Sequence, residues 1–194
     1  MLKDSINSYI NKNLTPKRQK HTEGVRQTAI ELAEKYGCDV QKAELAALLH
    51  DMARCMPDDV KNYYVKHLNL PERYKDNGNL SHSKIAAVMM QKEFGIHDED
   101  MINAVSYHTT GRPGMSLLEK IVYLADAVEP GRMYPGVEEL RKAAFEDIDV
   151  GCLKSLQHTI DFIEGEKKFL DDDTILAKEY FENLIKEKKE NTDD

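Results

Sequence analysis

Six side chains carrying imidazole nitrogen or carboxylate oxygen are set apart by the company they keep: His21, the adjacent pair His50-Asp51, His82, His108 and Asp126. Singly each says little, since a histidine on a helix face is more often a hydrogen-bonded boundary residue than a ligand. The pair is harder to set aside. Asp51 follows the apolar run LAALLH, and an ionised aspartate is seldom buried unless it is paired or holds a metal. Asp126 interrupts KIVYLADAV in the same way, where a purely structural helix would gain by an apolar residue. Neutral imidazole and carboxylate together are the ligand set of iron, manganese, zinc, nickel or cobalt. Because a carboxylate has two oxygens, Asp51 can bridge two ions, and paired ions suit phosphoryl chemistry by activating water on one side and neutralising charge on the other.

Residues so far apart in the chain need a rigid frame to meet, and the composition supplies helices. Tryptophan is absent, β-branched runs are scarce, and Ala, Leu, Lys, Glu and Met recur at helical spacing, which predicts an all-α protein. Residues 2–13 form an amphipathic stripe, and Thr15-Pro16 caps and opens a helix that carries His21 and ends at Gly37. Asp39 caps the next, predicted over 40–53 with His50 and Asp51 inside it, pointing about 100° apart on the 3.6-residue period. A short helix follows Pro57, then an irregular stretch with Pro71 and Asn77-Gly78. Ser81 is expected to cap a helix to Phe94 with His82 in its first turn, and Asp98 another to Tyr107, just before His108. Ser116-Leu-Leu-Glu119 reads as a capping box opening the helix of Asp126, which Pro130-Gly131 closes. Helices near 137–145, 150–163 and 174–186 complete the chain, and the last residues, 189–194, read as a frayed tail. No repeat or linker divides the chain, so 1–188 is taken as a single domain.

Several function classes are disfavoured. The three cysteines, Cys38, Cys55 and Cys152, are widely separated and form no C-x-x-C pair, against a disulfide framework or thiolate zinc site. A formal charge of −8 repels nucleic-acid polymers, although ions and local arginines can reverse the sign inside one pocket. No run is long and apolar enough to span a bilayer and the start has no signal architecture, so a cytoplasmic protein without membrane partners is expected. His21-Thr-Glu23 matches half of a deaminase motif, but no P-C-x-x-C follows, and protease, phosphate-loop and dinucleotide-fold motifs are absent. Arg112 and Arg132, in Gly/Pro loops beside His108 and Asp126, are natural bidentate partners for phosphate, whereas Arg54 and Lys84 are left open.

The order H…HD…H…H…D resembles the HD superfamily of metal phosphohydrolases. More narrowly, KHTEGV (20–25), LHDMAR (49–54), SHSKIA (81–86) and YHTTGRPGMSLLEKIVYLADAVEPGR (107–132) resemble the bacterial YqeK family, over about residues 15–165. The resemblance implies an HD-domain helical bundle and symmetrical hydrolysis of dinucleoside polyphosphates, diadenosine tetraphosphate to two ADP, by metal-activated water. It implies that His21, His50, Asp51 and Asp126 hold a first ion, and that His82 and His108 hold a second shared through Asp51. Asp51, His82 and His108 would then be catalytic, with Thr109, Gly111, Arg112 and Arg132 contacting substrate. Iron is the first expectation for the ion, with manganese, cobalt or nickel next, and a homodimer is an option. Ala127-Val128 departs from the aromatic-aliphatic pair the resemblance leads one to expect, which implies a changed packing position or pocket edge. The rival readings are another HD nucleotide phosphohydrolase or phosphodiesterase, and a regulatory module that binds metal and nucleotide without turnover.

Overall fold

A computed structural model describes residues 2–191, which form ten α-helices and one 3-10 turn, with no strand among the described residues. The helices are α1 (Leu2–Asn13), α2 (Pro16–Tyr36), α3 (Val40–Leu49), α4 (Asp58–His67), α5 (Gly78–Phe94), α6 (Glu99–Tyr107), α7 (Leu117–Val128), α8 (Val137–Glu146), α9 (Ile148–Gly165) and α10 (Asp172–Glu190). Local chemistry sets many of these bounds. Thr15 accepts from the Arg18 amide at the start of α2, and Gly37 closes that helix with φ 72°, a conformation that costs glycine least. Ser116 and Glu119 complete both halves of the capping box on α7.

α7 is the spine of the bundle. Its residues Leu118, Ile121, Val122, Leu124 and Ala125 are almost wholly buried, and it packs against α2, α3, α6 and α9. A helix apolar on nearly every face must lie inside a protein, so each polar group on it is held at the centre of the molecule. α4 and the 3-10 turn Glu72–Tyr74 stand apart from this core, resting on α5 through the small cluster of Val65, Tyr74 and Leu80. No described helix is long and apolar enough to cross a membrane.

Three boundaries differ from the sequence reading. α3 stops at Leu49, and His50-Asp51 lie in tight turns closed by Met52 N to Leu49 O (3.1 Å) and Arg54 N to Asp51 O (2.8 Å). The cause is visible at the ring: His50 Nδ1 takes the Ala47 carbonyl at 2.6 Å, a group that a continuing helix would bond through its backbone. α5 begins at Gly78, so Ser81 is a buried interior residue rather than a cap and His82 sits one turn in. α10 continues through the first two residues of the expected tail 189–194, of which 192–194 lie outside the described residues.

Candidate functional site

The fold brings all six candidate ligands to one place. His21 comes from α2, His50 and Asp51 from the turns after α3, His82 from α5, His108 from the end of α6 and Asp126 from the last turn of α7. Each of three rings is fixed by its own segment: His50 Nδ1 meets Ala47 O at 2.6 Å, His82 Nδ1 meets Gly78 O at 3.2 Å, and His108 Nδ1 meets Val105 O at 2.8 Å. A carbonyl only accepts, so Nδ1 carries a proton, and in the neutral ring the Nε2 lone pair is left for a ligand. His21 differs, its Nδ1 lying 3.1 Å from Glu129 Oε1.

Asp51 divides its two oxygens between the two halves of the cluster. Oδ1 is 3.0 Å from His82 Nε2 and 3.9 Å from His108 Nε2, while Oδ2 is 3.3 Å from His50 Nε2 and 3.7 Å from His21 Nε2. Asp126 Oδ1 closes the second side at 3.0 Å from His21 Nε2. Donor atoms of His21, His50 and Asp126, and likewise of His50, Asp51 and His108, lie within 4.8 Å of one another.

These donors fit metal ions on physical grounds. His21 Nε2 and His50 Nε2 are buried without a hydrogen-bond partner of acceptable geometry, and the Nε2 atoms of His82 and His108 face each other at 3.1 Å. With both Nδ1 positions protonated, the neutral rings aim two lone pairs at one another, an arrangement that a cation between or beside them satisfies. The electrostatics agree. Burial opposes ionisation of Asp51, but the imidazoles of His50 and His82 hold its carboxyl well below the ordinary range. Burial likewise opposes the charge on Asp126, which His21 and Arg132 keep ionised. Burial, with the neighbouring His50 and His82, pushes His108 down to about 3, leaving a neutral imidazole fit to ligate.

A cavity of about 970 Å³ opens beside the cluster, reaching His21 and lined by Lys17, Arg18, Lys20, Arg54, Lys61 and Arg132. The chain carries a formal charge of −8, yet this cavity gathers six cationic residues with Glu129 as its one acidic lining residue. Arg132 is pinned at the boundary: its Nε donates to Asp126 O at 2.7 Å and its Nη2 pairs with Asp126 Oδ1. Arg54, left open by the sequence, lines the same cavity. Thr109 lines a smaller cavity of about 170 Å³ with His108, Asp126 and Arg132. Ala127 lines it too, so the departure noted in the sequence falls at a pocket edge.

Two expected substrate contacts are not brought to either cavity. Arg112 forms a two-point ion pair with buried Glu119, at 2.6 and 2.7 Å, and lies over the Tyr107 ring. Gly111 has φ 67° and backs onto Leu156, Ala177 and Met115, so its role is to turn the chain against the core. Lys84 lies over the Tyr107 ring at 3.5 Å and lines neither cavity.

Two residues were missed. Arg18 reaches Asp51 Oδ2 at 2.6 Å, and its signal was available, since it lies three residues before His21 on the same helix face. Glu129 is buried, holds His21 and accepts from the Gly131 amide, and Gly24 leaves the room it needs, for a methyl group there would collide with Glu129 Oε2. Nothing local marks Glu129, because its partner is 108 residues away. Arg141 fixes the surrounding loop by donating to the carbonyls of Val128, Glu129 and Arg132 at 2.7–2.9 Å.

The HD domain family model matches residues 18–131, a span that contains all six candidate ligands. Over 169 residues the chain is 41% identical to a symmetrical bis(5'-nucleosyl)-tetraphosphatase of Bacillus subtilis, covering 87% of this chain and 91% of that protein. A protein of the same description from Halalkalibacterium halodurans is 40% identical over 178 residues, 91% of this chain and 94% of its own. Among solved structures, a predicted HD superfamily hydrolase involved in NAD metabolism from Clostridium acetobutylicum superposes with a TM-score of 0.89 at 43% identity, covering 93% of this chain and 97% of that one.

Proposed function

The chain belongs to the HD-domain family, and from that premise we propose that it is a symmetrical bis(5'-nucleosyl)-tetraphosphatase, hydrolysing diadenosine tetraphosphate to two ADP. The observation that carries this reading is the pairing of Asp51, one oxygen facing each half of a His/Asp cluster, with a six-cation cavity in an acidic chain. Four linked phosphates are a substrate such a cavity suits, because the charge to be neutralised runs along its length.

The residues divide the work. His21, His50, Asp51 and Asp126 would hold one ion, and His82 and His108 with Asp51 a second. Transition-metal ions bound there supply Lewis acidity, lowering the pKa of water towards 7 and neutralising phosphate charge, and iron is our first choice, ahead of manganese, cobalt and nickel. Glu129 orients His21 and fixes which of its nitrogens faces inward. Arg132 and Arg18, each anchored on a ligand carboxylate, present their remaining N–H groups to phosphate oxygens as charge builds in the transition state. Water is the nucleophile, since no serine or cysteine among the described residues is placed beside an activating base at the cluster.

The test is a product-resolved assay after defined metal loading. Diadenosine tetraphosphate should yield ADP as its sole nucleotide product at initial rate, whereas AMP and ATP in equal amounts would refute the symmetrical cut. In oxygen-18 water, a single turnover should label the terminal phosphate of one ADP of the two, and unlabelled products would point to a phosphorylated protein residue instead.

A further inference from the structure

The last turn of α7 carries Asp126, and it ends without the usual backbone cap. A helix leaves its last four carbonyls without partners inside the helix, and amides just past its end commonly close over them. Here the Glu129 amide takes Ala125 O, but Pro130 has no amide and the Gly131 amide is spent on the Glu129 carboxylate. Side chains do the capping instead. Arg132 Nε donates to Asp126 O at 2.7 Å, the Tyr134 hydroxyl to Ala127 O at 2.7 Å, and Arg141 Nε to Val128 O at 2.8 Å. Arg141 reaches further, since its Nη2 donates to Glu129 O at 2.9 Å and to Arg132 O at 2.7 Å. Those two residues are the ones whose side chains leave the loop for the cluster, Glu129 to His21 Nδ1 and Arg132 to Asp126 Oδ1. One guanidinium on α8 therefore fixes the backbone beneath both ligand supports. The planar fork makes this possible, and its charge stands at the negative end of the α7 dipole. Its acidic partner, Glu138, is 79% exposed, so that pair contributes little and the carbonyls are what hold the guanidinium in place. Tyr134 and Arg141 both lie past residue 131, where the HD-domain match ends.

We infer that Arg141 is a positioning residue of the cluster, setting His21 through Glu129 and Asp126 through Arg132. The inference rests on the reading of His21 and Asp126 as metal ligands, and the experiment separates the two. Mn(II) affinity is measured by chelator competition in wild type, Arg141→Lys, Glu129→Gln, the variant combining both, and Glu138→Gln. Lysine keeps the charge but cannot span the carbonyls of Val128, Glu129 and Arg132, so Arg141→Lys should weaken Mn(II) by about tenfold. Glu138→Gln, which removes only the exposed pair, should leave the affinity unchanged. Because Arg141 acts in part through Glu129, the combined variant should lose at least about threefold less than the product of the single losses. In metal-free protein, Arg141→Lys should speed amide hydrogen exchange over residues 129–134 while its circular dichroism matches wild type. In wild type, Mn(II) should slow exchange over 137–141 together with 126–132, a test that needs no variant to fold. Losses that simply multiply, an affinity in Arg141→Lys within about twofold of wild type, or an equal loss in Glu138→Gln would overturn the assignment. So would Mn(II) protection that stops short of α8. Wild type that binds no Mn(II) would instead sink the ligand reading, and exchange in the metal-free proteins would then show by itself whether Arg141 fixes the loop.

Discussion

Two of the places where the molecule buries charge are treated differently. In the first turn of α7, Glu119 takes a two-point pair from Arg112, and Asp149 of α9 takes Lys120 at 2.6 Å with Lys188 on its other oxygen. Every carboxylate oxygen there has a cationic donor. At the cluster around Asp51 the carboxylates also take arginines, Asp51 from Arg18 and Asp126 from Arg132, but the imidazoles are short of partners: the Nε2 atoms of His82 and His108 face one another, and those of His21 and His50 have no hydrogen bond of acceptable geometry. Buried carboxylates that serve the fold come fully partnered, whereas the imidazoles of the cluster are left short of partners. Arg112 and Arg132 look alike in sequence, each in a Gly/Pro loop beside a candidate ligand, and the difference lies in which carboxylate each one meets, Glu119 or Asp126.

The comparison breaks most plainly at Asp51. Asp51→Ala should abolish turnover and strip most bound metal while the helical circular dichroism spectrum persists; metal content and rate both near wild type would refute the cluster. The converse is Arg112→Ala, which leaves Glu119 buried and unpaired, and should cost about 3 kcal/mol of unfolding free energy in urea with metal content and KM unchanged. A raised KM at unaltered stability would return Arg112 to the substrate. Glu129→Gln bears on the boundary between the two classes, because Glu129 is itself buried and holds His21, a candidate ligand. The variant should lose about 10- to 100-fold in metal affinity or rate, measured by competition with a chelator, with little change in the unfolding midpoint of the metal-free protein.

The smallest effect is one of acid. Asp149 is buried, which raises its pKa, but Lys120 and Lys188 lower it more, so its folded value lies below its unfolded one. Its contribution is therefore complete above about pH 4 and is lost as pH falls through the folded pKa. Wild type should exceed Asp149→Asn by about 1–2 kcal/mol at pH 6, and the gap should narrow at pH 3 in metal-free protein. A gap that is the same at both values would show that Asp149 does not titrate against its lysines.

What the sequence made legible follows from how local each determinant is. Thr15-Pro16, Gly37, Asp39, Asp98 and the Ser116–Glu119 box all act within four residues of the helix end they set, and each predicted boundary is found there. The ligand types were legible because carboxylate and imidazole inside apolar runs contradict their surroundings. The early end of α3 was not, since a side chain taking the helix's own carbonyl leaves no compositional trace. Nor was the fate of Arg112, whose partner lies seven residues on, across a loop, on a helix face that only the fold reveals as buried. Glu129 depends on contact between α2 and the end of α7, which periodicity along one helix does not report.

The anchoring of the rings also orders events in time. His50, His82 and His108 are each oriented by a carbonyl three or four residues away, so their aim is set as soon as the local turn forms. His21 acquires its aim only when Glu129 arrives, across a separation of 108 residues, and closing so long a loop is among the slower steps available to a chain of this size. On the two-ion assignment proposed above, an ion would meet the His82 and His108 half first during refolding, and engagement of His21 would mark the docking of α2 against α7. A metal-sensitive probe at the cluster would then act as a clock for one of the long-range closures in the fold.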